Sequence, residues 1–358
     1  MKQPVVVLTG GGTAGHVSVN QALIPVFLGK GYGVHYIGSH EGIEKELIGS
    51  GHPEVVYHAI QSGKLRRYFS MKNFTDPFRV GAGTLQALAI LRKIKPEIIF
   101  SKGGFVSVPV VMAAKLANVP VVVHESDVTP GLANRLALPF SSHIFTVFEQ
   151  TLQYVPEAKS ACTGPIIRPE LFSGDKERGL RMAGLTAEKP VFIIMGGSQG
   201  SAVLNEAIRA ELPELLARYQ LIHLCGKGNV DPQLSGVAGY AQYEYVTDEL
   251  PDLLAAADYA ISRAGSNAIF ELLAIHKPML LVPLAASKSR GDQILNAKYF
   301  ASKGLALQVE EEQFADQPVA EQFAELVKEK ARLLSNIEKT TEPKTPEKMA
   351  DLILSFQK

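Results

Sequence analysis

Short apolar runs recur along the chain, and each is followed by a turn and then by apolar positions at helical spacing. In the first half, Val5–Leu8, Gly33–Ile37, Val55–Ala59, Ile98–Phe100, Val121–Val123 and His143–Thr146 read as strands. Helical stretches at Val17–Leu28, Glu41–Ile48, Thr84–Ile94 and Val110–Leu116 separate them. The pattern restarts with strands at Val191–Ile194, Gln220–Leu224, Gln242–Tyr245, Tyr259–Ser262, Met279–Val282 and Ala306–Val309. Strands alternating with helices predict a parallel sheet covered on both faces. The restart predicts two such α/β domains, and 358 residues suffice for two cores. Turn residues crowd Ala161–Pro169, so residues 1–163 are expected to form the first domain and 164–338 the second. Residues 339–358 form a charged tail ending in an apolar stretch, Met349–Phe356, expected to be a helix packing back on the N-terminal domain. Only Lys64–Asp76, basic and aromatic, breaks the rhythm of the first half.

Composition narrows the class. Hydrophobic residues make up 46% and charged residues 20%, the balance of an ordinary globular protein. With 36 basic and 36 acidic residues, the chain has no overall charge that would call for nucleic acid, and none is expected as a partner. Up to Arg168 there are 16 basic and 10 acidic residues, and beyond it 20 and 26. Either the first half leans on an anionic surface, or two solvated surfaces carry unevenly spread charge. Cys162 and Cys225 make no disulfide framework and point to a reducing, cytosolic compartment. No leader is expected before the first strand, and no apolar run approaches the ~18 residues that span a bilayer. The protein is therefore expected to be soluble or peripherally membrane-bound.

Candidate chemistry begins at two glycine-rich turns. Gly10-Gly11-Gly12-Thr13-Ala14-Gly15-His16 follows the first strand, and Gly196-Gly197-Ser198-Gln199-Gly200 follows Val191–Ile194. Glycine lets the backbone approach a ligand closely, and the helix start behind the turn attracts an anion. Two such turns, half a chain apart, suggest two doubly wound domains facing across a cleft. Gly10, Gly12 and Gly15 satisfy a dinucleotide fingerprint, but the second strand ends in Gly38-Ser39-His40 and not in an acidic residue. A nicotinamide-dependent oxidoreductase is thus poorly supported. The nine histidines show no metal-binding spacing, and neither metal nor cofactor is expected.

Further segments occur in a fixed order. Ser101-Lys102-Gly103-Gly104-Phe105-Val106-Ser107-Val108-Pro109 and His124-Glu125-Ser126-Asp127 follow the first turn. Arg263-Ala264-Gly265-Ser266-Asn267 and Glu271 follow the second. Together these segments closely resemble glycosyltransferase family 28, over nearly the whole chain. The resemblance implies the GT-B architecture, two Rossmann-like domains with a cleft between them. It implies transfer of N-acetylglucosamine (GlcNAc) from UDP-GlcNAc to an undecaprenyl-diphosphate-linked muramoyl-pentapeptide, lipid I. The product would be lipid II, for peptidoglycan, made at the cytoplasmic face of the cell membrane.

By the same resemblance, Ser198 holds the donor diphosphate, and Glu271 accepts hydrogen bonds from the ribose hydroxyls. Tyr245 and Val246 lie against uracil, and Ser266 belongs to the donor motif. Arg168 and Gln293 contact the donor, the glutamine at its sugar. Thr13, Ala14 and Gly15 also belong with the donor. Asp127 stands where relatives carry an asparagine, and position 292 is aspartate where some carry glutamine. Gly11, Gly12, Gly103 and Gly104 form acceptor or diphosphate loops. Inverting transfer needs a base for the acceptor hydroxyl and positive potential at the departing diphosphate. His16 and Glu125 are the two candidates for base, and the family does not settle the choice. Lys64–Phe74, with Phe78 and Arg79, mixes cations and aromatics as a segment at an anionic membrane surface would. Two other readings remain open: a related transferase with a lipid acceptor such as diacylglycerol, and a nucleotide-sugar-binding protein without turnover.

Overall fold

The computed structural model describes residues 3–63, 72–197, 199–287, 289, 291–340 and 345–357. The chain divides into two compact units. Unit 1 is Met1–Arg168 with Pro343–Lys358, and unit 2 is Pro169–Glu342.

Unit 1 holds seven parallel strands: β1 (Val5–Thr9), β2 (Gly33–Ser39), β3 (Val56–Ile60), β4 (Ile98–Ser101), β5 (Val121–Glu125), β6 (His143–Thr146) and β7 (Ser160–Cys162). Their order in the sheet is β3-β2-β1-β4-β5-β6-β7. Helices α1 (Ala14–Gly29), α2 (Ile43–Gly51), α3 (Lys72–Ile94), α4 (Ser107–Ala117) and α5 (Leu132–Ala137) complete the alternation. Successive residues of β1 face opposite sides of the sheet. Val6 and Leu8 join a core with Leu23, Phe27 and Tyr36, whereas Val7 joins one with Ile99, Val110 and Val123. Both faces of β1 are therefore apolar, which is why Val5–Leu8 reads as an unbroken apolar run.

Two local differences from the pattern have clear causes. Helix α3 begins at Lys72 and not at Thr84, so it runs through part of the segment that reads as a break. Pro77, Gly81 and Gly83 depress helix propensity there, and packing against α4 overrides them. Residues Lys64–Met71 lie outside the described residues. Strand β7 escaped detection because Ser160-Ala161-Cys162 is a short edge segment with no apolar run.

Unit 2 repeats the plan with β8 (Val191–Met195), β9 (Gln220–Leu224), β10 (Tyr240–Tyr243), β11 (Tyr259–Ser262), β12 (Met279–Leu281) and β13 (Leu307–Gln308). The order is β10-β9-β8-β11-β12-β13, all parallel. Its helices are α6 (Lys176–Ala183), α7 (Ala202–Ala210), α8 (Leu212–Arg218), α9 (Leu250–Ala256), α10 (Ser266–Ala274), α11 (Asp292–Ser302), α12 (Glu311–Asp316), α13 (Val319–Lys328) and α14 (Lys330–Ile337). Phe192 anchors one face, with the rings of Tyr219 and Phe323 at 4.9 and 4.2 Å between centroids. Strand β10 starts and stops two residues earlier than its apolar pattern suggests, which leaves Tyr245 beyond the strand.

The last helix, α15 (Pro346–Leu354), belongs to unit 1. Met349, Ala350 and Ile353 are fully buried in the core that α1 covers. Phe356 lies over His143, with ring centroids 3.7 Å apart, and Tyr32 Oη donates to Gln357 Oε1 at 2.9 Å. Among the described residues, no helix is long and apolar enough to cross a membrane.

In each sheet the strand order reverses beside the first strand, between β1 and β4 and between β8 and β11. Loops leaving the carboxyl ends of strands at such a point form the usual ligand crevice of an open α/β sheet.

Candidate functional site

Three loops follow three adjacent strands of unit 1: Gly10–Thr13 after β1, Lys102–Gly104 after β4 and Ser126–Gly131 after β5. Gly11 N–H donates to Gly103 O at 3.2 Å and ties the first two together. Thr13 caps α1, its hydroxyl accepting from His16 N–H at 3.4 Å. Ala14 and Gly15 open that helix, and His16 stands half-buried in its first turn. His16 Nδ1 lies 2.9 Å from Gly11 O. A carbonyl oxygen only accepts, so Nδ1 carries the proton and the neutral ring keeps its lone pair on Nε2.

The N–H groups of Gly11 and Gly12 both have partners within unit 1. Gly11 N–H already meets Gly103 O. Gly12 N–H donates to Glu44 Oε2 at 3.1 Å. An internal carboxylate from α2 thus sits at the first turn. Glu44 escaped the sequence reading, although an acidic residue in a first helical turn just after Gly42 is a usable signal.

Glu125 is 4% exposed and accepts three hydrogen bonds: from Asp127 N–H at 2.9 Å, Gly131 N–H at 2.8 Å and Asn134 Nδ2 at 2.8 Å. Burial raises its pKa and Asp127 adds to the effect, while these hydrogen bonds oppose them. With both oxygens engaged, the carboxyl group acts as a clasp for the loop after β5. Lys102, 1% exposed, donates from Nζ to Ser126 Oγ at 2.8 Å. Burial lowers its pKa, and Glu125 and Asp127 favour its charged form. His124 is buried beside the Phe100 ring, and burial together with Lys102 pushes its pKa well below the ordinary value. It is therefore a neutral core residue. Asp127 is half-buried on this loop, and Arg168 is half-buried at the end of the first segment of unit 1.

In unit 2, the loops after β8, β11 and β12 converge through one buried arginine. Ser201 caps α7, accepting from Leu204 N–H at 3.3 Å. Arg263, 9% exposed, donates to Ser201 Oγ at 2.5 Å and to Val282 O at 3.1 Å, and it pairs with buried Glu311. Arg263 is thus a clamp holding three loops. Asn296 Nδ2 adds a bond to Ala264 O at 3.2 Å. Ser266 is the buried first residue of α10, and Glu271 lies half-exposed further along it. Gln293, on the first turn of α11, accepts from Leu284 N–H at 3.0 Å, which leaves its amide nitrogen as the donor for a ligand. Asp292 precedes it at the helix start. Tyr245 is 48% exposed and Val246 buried, both just beyond β10. Ser198 lies outside the described residues. Among those described, no three His, Cys, Asp or Glu side chains gather to hold a metal ion.

Comparison with known proteins accords with this layout. The sequence profile described as the glycosyltransferase family 28 N-terminal domain matches residues 6–146, and that of the family 28 C-terminal domain matches residues 191–353. A protein of Clostridium novyi (strain NT) is 49% identical over 359 residues, covering 100% of both chains. It is named UDP-N-acetylglucosamine--N-acetylmuramyl-(pentapeptide) pyrophosphoryl-undecaprenol N-acetylglucosamine transferase. A protein of the same name from Geobacillus thermodenitrificans (strain NG80-2) is 52% identical over 337 residues, 94% of each chain. The crystal structure of MurG from Acinetobacter baumannii matches with a TM-score of 0.74 over 99% of this chain and 100% of that one. At 20% identity that match is a likeness of fold.

Proposed function

This chain belongs to glycosyltransferase family 28, and from that premise we propose that it moves GlcNAc from UDP-GlcNAc to the muramoyl-pentapeptide of lipid I. The observation that carries this reading is identity near one half, along the full length, to proteins named for that reaction. In the proposed chemistry, the acceptor hydroxyl loses its proton as its oxygen attacks the anomeric carbon. The bond from that carbon to the UDP oxygen breaks with inversion. His16 is the base, through Nε2. The start of α7, together with Ser198, receives the donor diphosphate, and Arg168 adds a fixed positive charge. Tyr245 and Val246 lie against uracil. Gln293 donates to the sugar, with Thr13, Ala14, Gly15, Asp127 and Ser266 completing the donor contacts.

Glu271 accepts from both ribose hydroxyls. Glu271→Ala is therefore expected to raise KM for UDP-GlcNAc by about 10- to 100-fold, the loss of charge-assisted hydrogen bonds. Steady-state kinetics with varied donor checks this, and an unchanged KM removes Glu271 from the donor site.

The acceptor's lipid remains in a bilayer, and unit 1 is the unit we assign to that surface. Phe78 and Leu85 on α3, Leu116 on α4, and Leu132 and Leu136 on α5 are exposed, and Arg79, Lys115 and Arg135 stand exposed on the same helices. Apolar side chains beside cations suit an anionic lipid surface. Reversing the charges of Arg66, Arg67 and Lys72 is expected to weaken binding to phosphatidylglycerol vesicles by at least about a hundredfold, since losing three positive charges alone costs about 1 kcal/mol each. Unchanged sedimentation with vesicles overturns this assignment.

The reaction itself is tested by transfer of labelled GlcNAc from UDP-GlcNAc to a short-chain lipid I analogue, with diacylglycerol as a parallel acceptor. Transfer to the lipid I analogue alone is the expected result. Transfer only to diacylglycerol overturns the acceptor, and UDP-GlcNAc binding without transfer to either overturns the catalytic reading.

A further inference from the structure

We propose that Glu44 tunes the basicity of His16 through the peptide group that joins Gly11 to Gly12. The proposal rests on His16 being the base. Gly12 N–H and Gly11 C=O are two ends of one amide. The N–H end donates to Glu44 Oε2 at 3.1 Å, and the C=O end accepts from His16 Nδ1–H at 2.9 Å. An amide shares its electrons between nitrogen and oxygen. A carboxylate at the N–H end draws electron density toward the oxygen, and hydrogen bonds in a chain polarise one another. The oxygen becomes a stronger acceptor, and a more strongly held Nδ1–H makes Nε2 a better base. In a Ser-His-Asp triad a carboxylate does this by touching the imidazole directly. Here one peptide group stands between them.

The arrangement is built rather than incidental. Glu44 is 1% exposed. Its other oxygen is held by Ser39 N–H at 3.1 Å and Ser39 Oγ–H at 2.5 Å. A Cβ on Gly11 or on Gly42 would collide with the Glu44 carboxyl group, so both positions need glycine for this close approach. Tyr36 Oη donates to Gly10 O at 2.7 Å and pins the turn from beneath. Among the described residues, the titratable groups around the turn include Glu44 from α2, Tyr36 from β2, Tyr57 from β3 and Lys102 after β4. Tyr57 Oη is directed to Ser39 O, and the Lys102 ammonium to Ser126. Glu44 alone among them bonds to the amide that His16 uses.

Glu44→Gln keeps the shape and removes the charge. Loss of a negative charge near His16 disfavours the imidazolium. The acidic limb of the kcat/KM profile is therefore expected to move to lower pH, by about half to one unit for a single charge at this remove. The weaker base should also lower the plateau kcat by about 3- to 10-fold, with KM for UDP-GlcNAc unchanged. In a His16→Ala background the same substitution should leave kcat unaltered. Ser39→Ala loosens Glu44 but keeps its charge, and it should leave the limb in place. An unmoved limb in Glu44→Gln, or an equal loss in the His16→Ala background, overturns the relay. If His16→Ala itself turns over normally, the base assignment fails first, and the two failures are thereby told apart. Should Glu44→Gln not fold, the nitrogen NMR spectrum of histidine-labelled wild-type protein decides. The relay requires His16 protonated at Nδ1 when neutral, and the opposite tautomer overturns it.

Discussion

Replacing His16 with alanine is expected to lower kcat by about 10²- to 10⁴-fold, the usual worth of a positioned general base, and to leave KM for UDP-GlcNAc near its wild-type value. The argument starts from the tautomer. Gly11 O can only accept, so the ring donates from Nδ1 and presents Nε2 as a lone pair. A neutral imidazole of this kind can take the acceptor proton near neutral pH. The rival carboxyl group is differently placed. Glu125 has two backbone N–H groups and the Asn134 amide on its two oxygens. Glu125→Gln should then act through the loop it holds, lowering stability along with activity. Steady-state kinetics with UDP-GlcNAc and a short-chain lipid I analogue separates the two. Near-wild-type turnover in His16→Ala would remove it from the base role.

Deleting the chain from Pro346 onward is expected to strip unit 1 of part of its core and leave it poorly folded. Met349, Ala350 and Ile353 are fully buried against α1 and the sheet. Truncating one such large side chain costs about 2–5 kcal/mol, a large share of the 5–15 kcal/mol that holds a typical domain together. The ion pair of Lys30 with Asp351, at 2.6 Å but well exposed, adds little. Ile353→Ala is the milder test and should cost about 2–5 kcal/mol. Hydrogen exchange reads it locally: amides of β1, β4 and α1 should exchange faster while those of β8 and β11 do not. Unaltered exchange in β1 would show that the helix contributes nothing to this core.

The legible parts of the fold were those where one local pattern decides the outcome. Val191–Ile194 is an apolar run bounded by turns, and it forms a strand buried on both faces. Family 28 membership was readable because its motifs sit at turns, where backbone shape limits the residues allowed. The parts that were not legible depend on partners distant in sequence. Helix α3 extends over Pro77 because α4 supplies packing that no local propensity records. The scaffold role of Arg263 was not legible, because its partners Ser201, Val282 and Glu311 lie elsewhere in the sequence. Glu44 lies 32 residues from the glycine whose N–H it accepts, and no spacing rule joins them.

The position of α15 also bears on the order in which the protein is made. Unit 1 takes residues from both before and after unit 2 in the sequence. Its β1–β7 sheet can pair early, yet the apolar surface destined for Met349, Ala350 and Ile353 stays uncovered while all of unit 2 is synthesised. At ordinary elongation rates that interval is on the order of 10 to 40 seconds. Unit 1 thus starts to emerge before unit 2 and is completed after it. During that interval the newborn chain exposes the kind of surface that chaperones bind.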